Sequence, residues 1–107
     1  MKTLKKLIKT IKKQKFKNPK VSYTSSLFRK GKNFCIKKFK EESKEFIDAI
    51  NKNNKKNSIH ETADLIYHLL VLIEFKKINF NEVLKELQKR EKLSGIEEKK
   101  NRQKNVR

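Results

Sequence analysis

The stretch SIHETADLIYHLLVLIEF, residues 58–75, is the only long apolar helical pattern in the chain. Its side chains recur at helical spacing at Leu65, Leu69, Leu72 and Ile73, with Thr62 and Ile66 on the same side. Because a helix turns by about 100° per residue, these positions form one apolar stripe. The stretch therefore predicts the central, core-facing helix of an all-α protein.

Acidic side chains lie beside this apolar stripe and beside a second apolar stripe, which falls in residues 38–50. Glu61 and Asp64 lie together on one flank of the central helix, and Glu42 and Glu45 lie on the flank of the stripe in KFKEESKEFIDAI, residues 38–50. If the two stripes pack against each other, the four carboxylates face one another across a groove. Carboxylates are oxygen ligands suited to Mg²⁺. The sequence therefore predicts a four-carboxylate metal site on paired helices.

Simpler interpretations of these residues remain open. Acids at i and i+3 are common on solvated helix surfaces, so either pair alone carries little information. Ser58 followed by Glu61 also fits a capping box, in which the Glu61 carboxylate only closes the start of the helix. His68 shares the flank of Glu61 and Asp64, and we interpret it as a packing or supporting residue rather than a ligand.

Length and composition favour one small all-α domain over residues 1–107. Two glycines and one proline argue against a turn-rich β architecture, and we expect a bundle of four to five helices. A core this small gains from pairing with a second copy. Cys35 is the only cysteine, and no apolar run reaches the roughly 18 residues of a membrane span. We expect a cytoplasmic protein without a disulfide.

Capping and breaking residues set the predicted helix boundaries. We predict helices at about residues 2–16, 23–30, 33–51 and 58–75, and another after residue 79. Ser22 and Asn79 are predicted N-caps, and Gly31 is a predicted C-terminal stop. The Lys/Asn-rich segment 52–57 is predicted to be a solvated loop. The motif SGIE, residues 94–97, repeats a capping signal before a basic tail at about residues 98–107.

The formal net charge of +18 raises the possibility of a nucleic-acid-binding protein. The charge comes almost entirely from lysine and is spread through every segment, whereas specific phosphate recognition usually uses arginine. Arginine occurs at four positions, namely Arg29, Arg90, Arg102 and Arg107. General lysine and asparagine enrichment is the favoured interpretation, with nonspecific nucleic-acid binding at most.

The order of these signals resembles the phosphoribosyl-ATP pyrophosphatase family of histidine biosynthesis. The resemblance is carried by NPKVSYTSSLFRKG (residues 18–31), KFKEESKEF (38–46), HETADLIYHLLVL (60–72) and SGIEEKKNR (94–102). The acidic pattern alone is shared with the wider superfamily of all-α NTP pyrophosphohydrolases. Lys40, Ser43 and Lys44 depart from the family pattern, but the acidic positions do not.

The resemblance implies Mg²⁺-dependent hydrolysis of phosphoribosyl-ATP to phosphoribosyl-AMP and pyrophosphate, in a dimer of interlocked helices. It implies Mg²⁺ ligands at Glu42, Glu45, Glu61 and Asp64. Glu41 joins Glu42 and Glu45 as a catalytic residue, as an extra ligand or the group that orients the attacking water. Substrate contacts are implied for Ser22, Tyr23, Thr24 and Lys38. The alternatives are a pyrophosphohydrolase of free nucleoside triphosphates such as dUTP, and a non-enzymatic nucleic-acid-binding protein.

Overall fold

The computed structural model describes residues 2–91, which form five α-helices and no strand. The helices are α1 (Lys2–Gln14), α2 (Tyr23–Lys30), α3 (Lys32–Asn51), α4 (Lys55–Phe75) and α5 (Phe80–Glu91). For these residues the predicted all-α class is confirmed, and the five helices agree with the predicted four to five. The capping signal at residues 94–97, the basic tail and the SGIEEKKNR segment lie outside the described residues.

The helices belong to two compact units, one ending at Lys77 and the other beginning at Ile78. In the first unit α3 and α4 pack along each other, joined by the short segment 52–54, and α1 and α2 pack on this pair. Its buried apolar side chains are Ile11, Leu27, Cys35, Ala49, Leu70 and Val71. In the second unit α5 follows Asn79, whose side chain accepts a hydrogen bond from the Asn81 amide at 2.9 Å. The hairpin of α3 and α4 is the scaffold that carries the acidic residues.

The boundaries of α2 agree with the sequence prediction. The Ser22 hydroxyl accepts a hydrogen bond from the Ser25 amide at 3.1 Å, as an N-cap does. Gly31 ends the helix with a φ of 96°, a conformation that favours glycine because it carries no Cβ. This short helix therefore has a fixed position directly before α3.

The predicted start of the central helix is wrong. Helix α4 begins at Lys55, and its N-cap is Asn54, whose side chain accepts from the Asn57 amide at 3.0 Å. The Ser58 amide donates to the Asn54 carbonyl at 2.9 Å and so lies inside the helix. The Asn54 side chain supplies the cap that was predicted for Ser58. The capping-box explanation of Glu61 therefore fails, because Glu61 does not lie at the first turn.

Replacing Asn54 with alanine is expected to lower the free energy of unfolding by about 1 kcal/mol, because the cap hydrogen bond is lost. Ser58→Ala is the matched control and should leave the stability within about 0.5 kcal/mol of the wild type, since it is a substitution inside a helix. Urea unfolding followed by circular dichroism measures both. A larger loss for Ser58→Ala than for Asn54→Ala would restore the capping box.

The predicted apolar stripes are only partly turned inward. Ile66 and Leu69, predicted to face the core, are 39% and 40% exposed. The face of α4 that is buried instead includes His68 and Val71, and α3 buries Glu42 on its inner side. Both helices are thus rotated toward their polar flanks, which places the acids nearer the helix contact than expected. No helix among residues 2–91 is both long and apolar enough to cross a membrane.

Candidate active site

Carboxylates from α3 and α4 converge beside the contact of the two helices. Glu42, Glu45 and Glu61 each offer one oxygen, and these three atoms lie within 4.8 Å of one another. Glu61 also belongs to a second group, with His60 and Asp64, whose three ligand atoms likewise lie within 4.8 Å of one another. The four acids singled out in the sequence are therefore brought together, with Glu61 shared by the two groups.

Two carboxylate oxygens in this cluster, Oε2 of Glu42 and Oε2 of Glu61, are buried and have no hydrogen-bond partner among residues 2–91. Glu42 is only 8% exposed. A buried polar atom without a partner costs about 1–3 kcal/mol, and more when it is charged. Such atoms in a cluster of acids are suited to a cation, because a dication supplies the missing interaction and offsets the repulsion among the carboxylates.

The electrostatic environment favours protonated acids when no cation is bound. Burial, followed by the neighbouring Glu45 carboxyl and the negative charge of Asp64, raises the pKa of Glu42 to about 7, although the positive charge of Lys38 lowers it. Burial and the charge of Glu45 also raise the pKa of Glu61. Mutual repulsion and desolvation are the physical causes of both shifts. The cluster therefore holds protons that a cation would displace.

Lys38 and Glu41 lie at the edge of this cluster. The Lys38 ammonium is 3.6 Å from a Glu41 carboxylate oxygen, one turn along α3. Glu41 is half exposed and belongs to neither of the two groups found among residues 2–91. Lys38 is close enough to Glu42 and His68 to lower the pKa of both. The structure thus places a positive charge beside the acids, while the role of Glu41 stays a prediction.

The predicted substrate-binding element at Ser22, Tyr23 and Thr24 packs against α4. The Tyr23 ring lies 6.3 Å from the Tyr67 ring in a stacked arrangement and is 57% exposed. The Thr24 and Tyr67 hydroxyls are hydrogen-bonded to each other, and Ser22 caps α2. The Ser22 and Thr24 hydroxyls therefore have partners within the protein, and Tyr23 is the member of the element that reaches solvent.

His60 and His68 contact the acids, and neither contact was predicted from the sequence. His60 Nε2 lies 3.3 Å from an Asp64 oxygen, and His68 Nε2 lies 3.5 Å from Glu42 Oε1. Burial, and then the charge of Lys38, lowers the pKa of His68, while Asp64 raises it. The i, i+4 spacing from His60 to Asp64 and from Asp64 to His68 was the available signal. The partner of His68 on α3 could be found only from the packing of the helices.

Comparisons with known proteins identify a family and several similar sequences. The sequence model of the phosphoribosyl-ATP pyrophosphohydrolase family matches residues 4–91. A phosphoribosyl-ATP pyrophosphatase of Rhodobacter capsulatus is 41% identical over 99 residues, which cover 92% of this chain and 96% of the relative. A phosphoribosyl-ATP pyrophosphatase of Leptospira biflexa is 46% identical over 90 residues, covering 84% and 98%. A histidine biosynthesis bifunctional protein of Wolinella succinogenes is 42% identical over 85 residues, which cover 79% of this chain and 37% of that protein.

Proposed function

The chain belongs to the phosphoribosyl-ATP pyrophosphohydrolase family, and from this premise we propose that it hydrolyses phosphoribosyl-ATP to phosphoribosyl-AMP and pyrophosphate with Mg²⁺ bound at the acid cluster. The reaction is the second step of histidine biosynthesis, the pathway that appears in the name of the Wolinella succinogenes relative. The observation that carries the proposal is the convergence of Glu42, Glu45 and Glu61 within the region that matches the family.

Mg²⁺ is the cofactor of the proposal because the donor set fits it. Glu42, Glu45, Glu61 and Asp64 offer carboxylate oxygens, which Mg²⁺ prefers. The Oε2 atoms of Glu42 and Glu61 are buried without a hydrogen-bond partner within residues 2–91, so a cation would supply an interaction that these residues do not. When bound, the cation would polarise a phosphoryl oxygen and stabilise the negative charge that develops there.

The side chains around the cluster would position the reactants. Lys38 carries a positive charge beside the acids and would hold a substrate phosphate in place of its present contact with Glu41. Glu41, released from that contact, would orient the attacking water and accept its proton. The water oxygen would form a bond to the α-phosphorus as the bond to the pyrophosphate leaving group breaks. Glu42 and Glu45 would also take part in catalysis, as ligands of the cation.

The segment Ser22–Thr24 is proposed to bind the remainder of the substrate. The exposed Tyr23 ring offers a flat surface to a base or a ribose. The start of α2 presents backbone N–H groups that favour a phosphate. The Ser22 hydroxyl would support this surface by capping α2, and the Thr24 hydroxyl by its hydrogen bond to Tyr67. Either hydroxyl would contact the substrate if it exchanged its present hydrogen bond for one to the substrate.

A substrate panel tests the proposal. Purified protein is incubated with phosphoribosyl-ATP, ATP or dUTP, with Mg²⁺ or with a chelator, and pyrophosphate is measured. We expect Mg²⁺-dependent release from phosphoribosyl-ATP, with kcat/KM at least about 100-fold above that for the free triphosphates, because contacts to the second ribose phosphate select the substrate. Faster release from dUTP would reassign the substrate, and no release from any compound would reject the function.

We also propose that two chains associate through the helices that carry the cluster. Isoleucine and leucine side chains are exposed along one face of α3 and one face of α4, at Ile36, Ile47, Ile50, Ile59, Ile66 and Leu69. Apolar side chains repeated along two packed helices are typical of an interface rather than of a solvated surface. Interlocking of these helices with those of a second copy would cover them.

Sedimentation equilibrium is expected to give the mass of two chains for the wild type. Leu69→Lys is expected to give one chain, because a charge placed in an apolar contact cannot be paired there. Val21→Lys, which changes an exposed apolar side chain on the loop before α2, is the control and should keep the mass of two chains. A single-chain mass for the wild type would contradict the dimer.

Three further expectations belong to the proposal. We propose that residues 1–107 act as one domain, since the family match at residues 4–91 spans both compact units. We place the enzyme in the cytoplasm because its substrate is a nucleotide made inside the cell. The lysine-rich surface is expected to bind nucleic acid only nonspecifically, with an affinity that falls steeply as the salt concentration rises.

A further inference from the structure

His68 contacts Glu42, one of the proposed metal ligands. It is 5% exposed on α4, and its Nε2 atom is 3.5 Å from Glu42 Oε1. The other carboxylate oxygen, Glu42 Oε2, is buried and has no hydrogen-bond partner in the part of the chain that the structure describes. The two oxygens of Glu42 therefore differ, because one faces an imidazole nitrogen and the other has no such neighbour among the described residues.

The His68 ring is itself held by two tyrosines. The Tyr67 and Tyr23 rings lie edge-on to it, with centroid distances of 5.2 and 6.3 Å and interplanar angles of 84° and 88°. The Tyr67 hydroxyl is hydrogen-bonded to the Thr24 hydroxyl at the start of α2. The start of α2 thus places Tyr23 next to the imidazole and supports the neighbouring Tyr67 through Thr24, so the ring has neighbours other than Glu42.

We propose that His68 is a positioning residue that holds Glu42 through Oε1 and so leaves Oε2 to a divalent cation. Side chains that orient a metal ligand typically change metal affinity 10- to 100-fold when they are removed. Lys38 does not supply this contact, since its ammonium is paired with Glu41. The inference rests on the proposed cation site, but it does not depend on which nucleotide is the substrate.

A packing role for His68 makes a different prediction. If the imidazole only fills space between α3 and the tyrosines, then an apolar side chain of similar size should keep cation binding intact. If it positions Glu42, then binding requires an N–H group where Nε2 lies. The Gln side-chain amide can place its nitrogen near that point, whereas the shorter Asn amide corresponds to the Nδ1 position.

The test measures Mn²⁺ affinity by electron paramagnetic resonance, without substrate, for the wild type, His68→Leu, His68→Gln and His68→Asn. We expect His68→Leu and His68→Asn to bind about 10- to 100-fold more weakly than the wild type, and His68→Gln to remain within about 5-fold of it. The unfolding temperature without metal is measured in parallel. The stability of the Leu variant should be no lower than that of the Gln variant, so that fold loss does not explain weaker binding.

Equal Mn²⁺ affinity in the wild type and His68→Leu would overturn the proposal. If the Leu variant does not fold, equal affinities of the Gln and Asn variants would overturn it instead, as would a wild type that binds no Mn²⁺. Pyrophosphate release from phosphoribosyl-ATP is assayed separately. Wild-type protein that binds Mn²⁺ and shows the expected order of variants, but does not hydrolyse this substrate, would reject the proposed function and leave the role of His68 supported.

Discussion

Replacing Glu42 with glutamine is expected to lower kcat/KM for phosphoribosyl-ATP by at least about 1000-fold. Glu42 is the most buried of the four clustered acids, and no described residue forms a hydrogen bond with its Oε2 atom. A catalytic cation supplies several kcal/mol of charge stabilisation, and each 1.4 kcal/mol corresponds to about tenfold in rate. Loss of one ligand should remove most of that contribution.

The fold of the Glu42→Gln variant should remain intact and become more stable when no cation is present. The substitution removes a negative charge from a buried site next to Glu45, where that charge is unfavourable. At pH 8 we therefore expect a higher unfolding temperature than for the wild type without Mg²⁺, and a smaller rise when Mg²⁺ is added. Scanning calorimetry with and without Mg²⁺ measures both effects.

Asp48→Asn is the matched control for this variant. Asp48 lies on the same helix but pairs with Lys44 at 3.1 Å, on the surface, and is not part of the cluster. The Asp48→Asn substitution removes one negative charge, as Glu42→Gln does, so the two variants have the same net charge. We expect wild-type turnover from Asp48→Asn. Wild-type turnover from Glu42→Gln as well would reject Glu42 as a ligand.

Local patterns in the sequence were sufficient to predict that residues 2–91 form five helices, and to predict which helical faces carry the acids. The spacing from Glu42 to Glu45 and from Glu61 to Asp64 specifies that each pair shares a side of its helix, because helical rotation is fixed. Ser22 and Gly31 specified the ends of α2 through capping chemistry that is equally local. The convergence of the two pairs was predicted by assuming that the apolar stripes meet, and the structure brings the pairs together although the stripes are only partly turned inward.

Features that depend on the rotation of one helix against another could not be predicted. Periodicity places Leu69 on an apolar stripe but does not say which part of the stripe meets α3 and which part stays exposed. The burial of His68 against Glu42 results from that rotation, since no local rule joins residues 26 positions apart. Asn54 was overlooked because several asparagines and Ser58 nearby all qualify as caps, and only the hydrogen bond to the Asn57 amide distinguishes them.

The second large effect is expected from pH, because protons and cations compete for Glu42. Its pKa is raised from 4.5 to about 7, so the carboxyl is mostly protonated at pH 6 and mostly ionised at pH 8. Metal ligands must lose their protons to bind, so affinity falls as the pH decreases below the pKa. We expect Mg²⁺ to bind about tenfold more weakly at pH 6 than at pH 8, as measured by isothermal titration calorimetry.

The stability of the metal-free protein should also respond to the ionisation of Glu42, but in the opposite direction. Stability decreases as the pH rises, whereas the affinity for Mg²⁺ increases. Because the folded-state pKa of Glu42 lies above the unfolded value, the folded protein keeps a proton between about pH 4.5 and 7 that the unfolded chain releases. Its contribution to stability is therefore fully present below pH 4.5 and is lost as the pH rises through 7. His68, with its lowered pKa, acts in the other direction near pH 6.5.

Subtracting the unfolding free energy of the Glu42→Gln variant from that of the wild type separates the contribution of the Glu42 carboxyl from that of the other titrating groups. The unfolding free energy of the wild type minus that of the variant should decrease steadily from pH 4.5 to 7.5 without metal, and should become more positive at pH 8 when Mg²⁺ is added. Urea denaturation at each pH gives the difference. A difference that stays flat across this range would mean that Glu42 ionises normally, and the buried, proton-holding cluster inferred from its contacts would then be wrong.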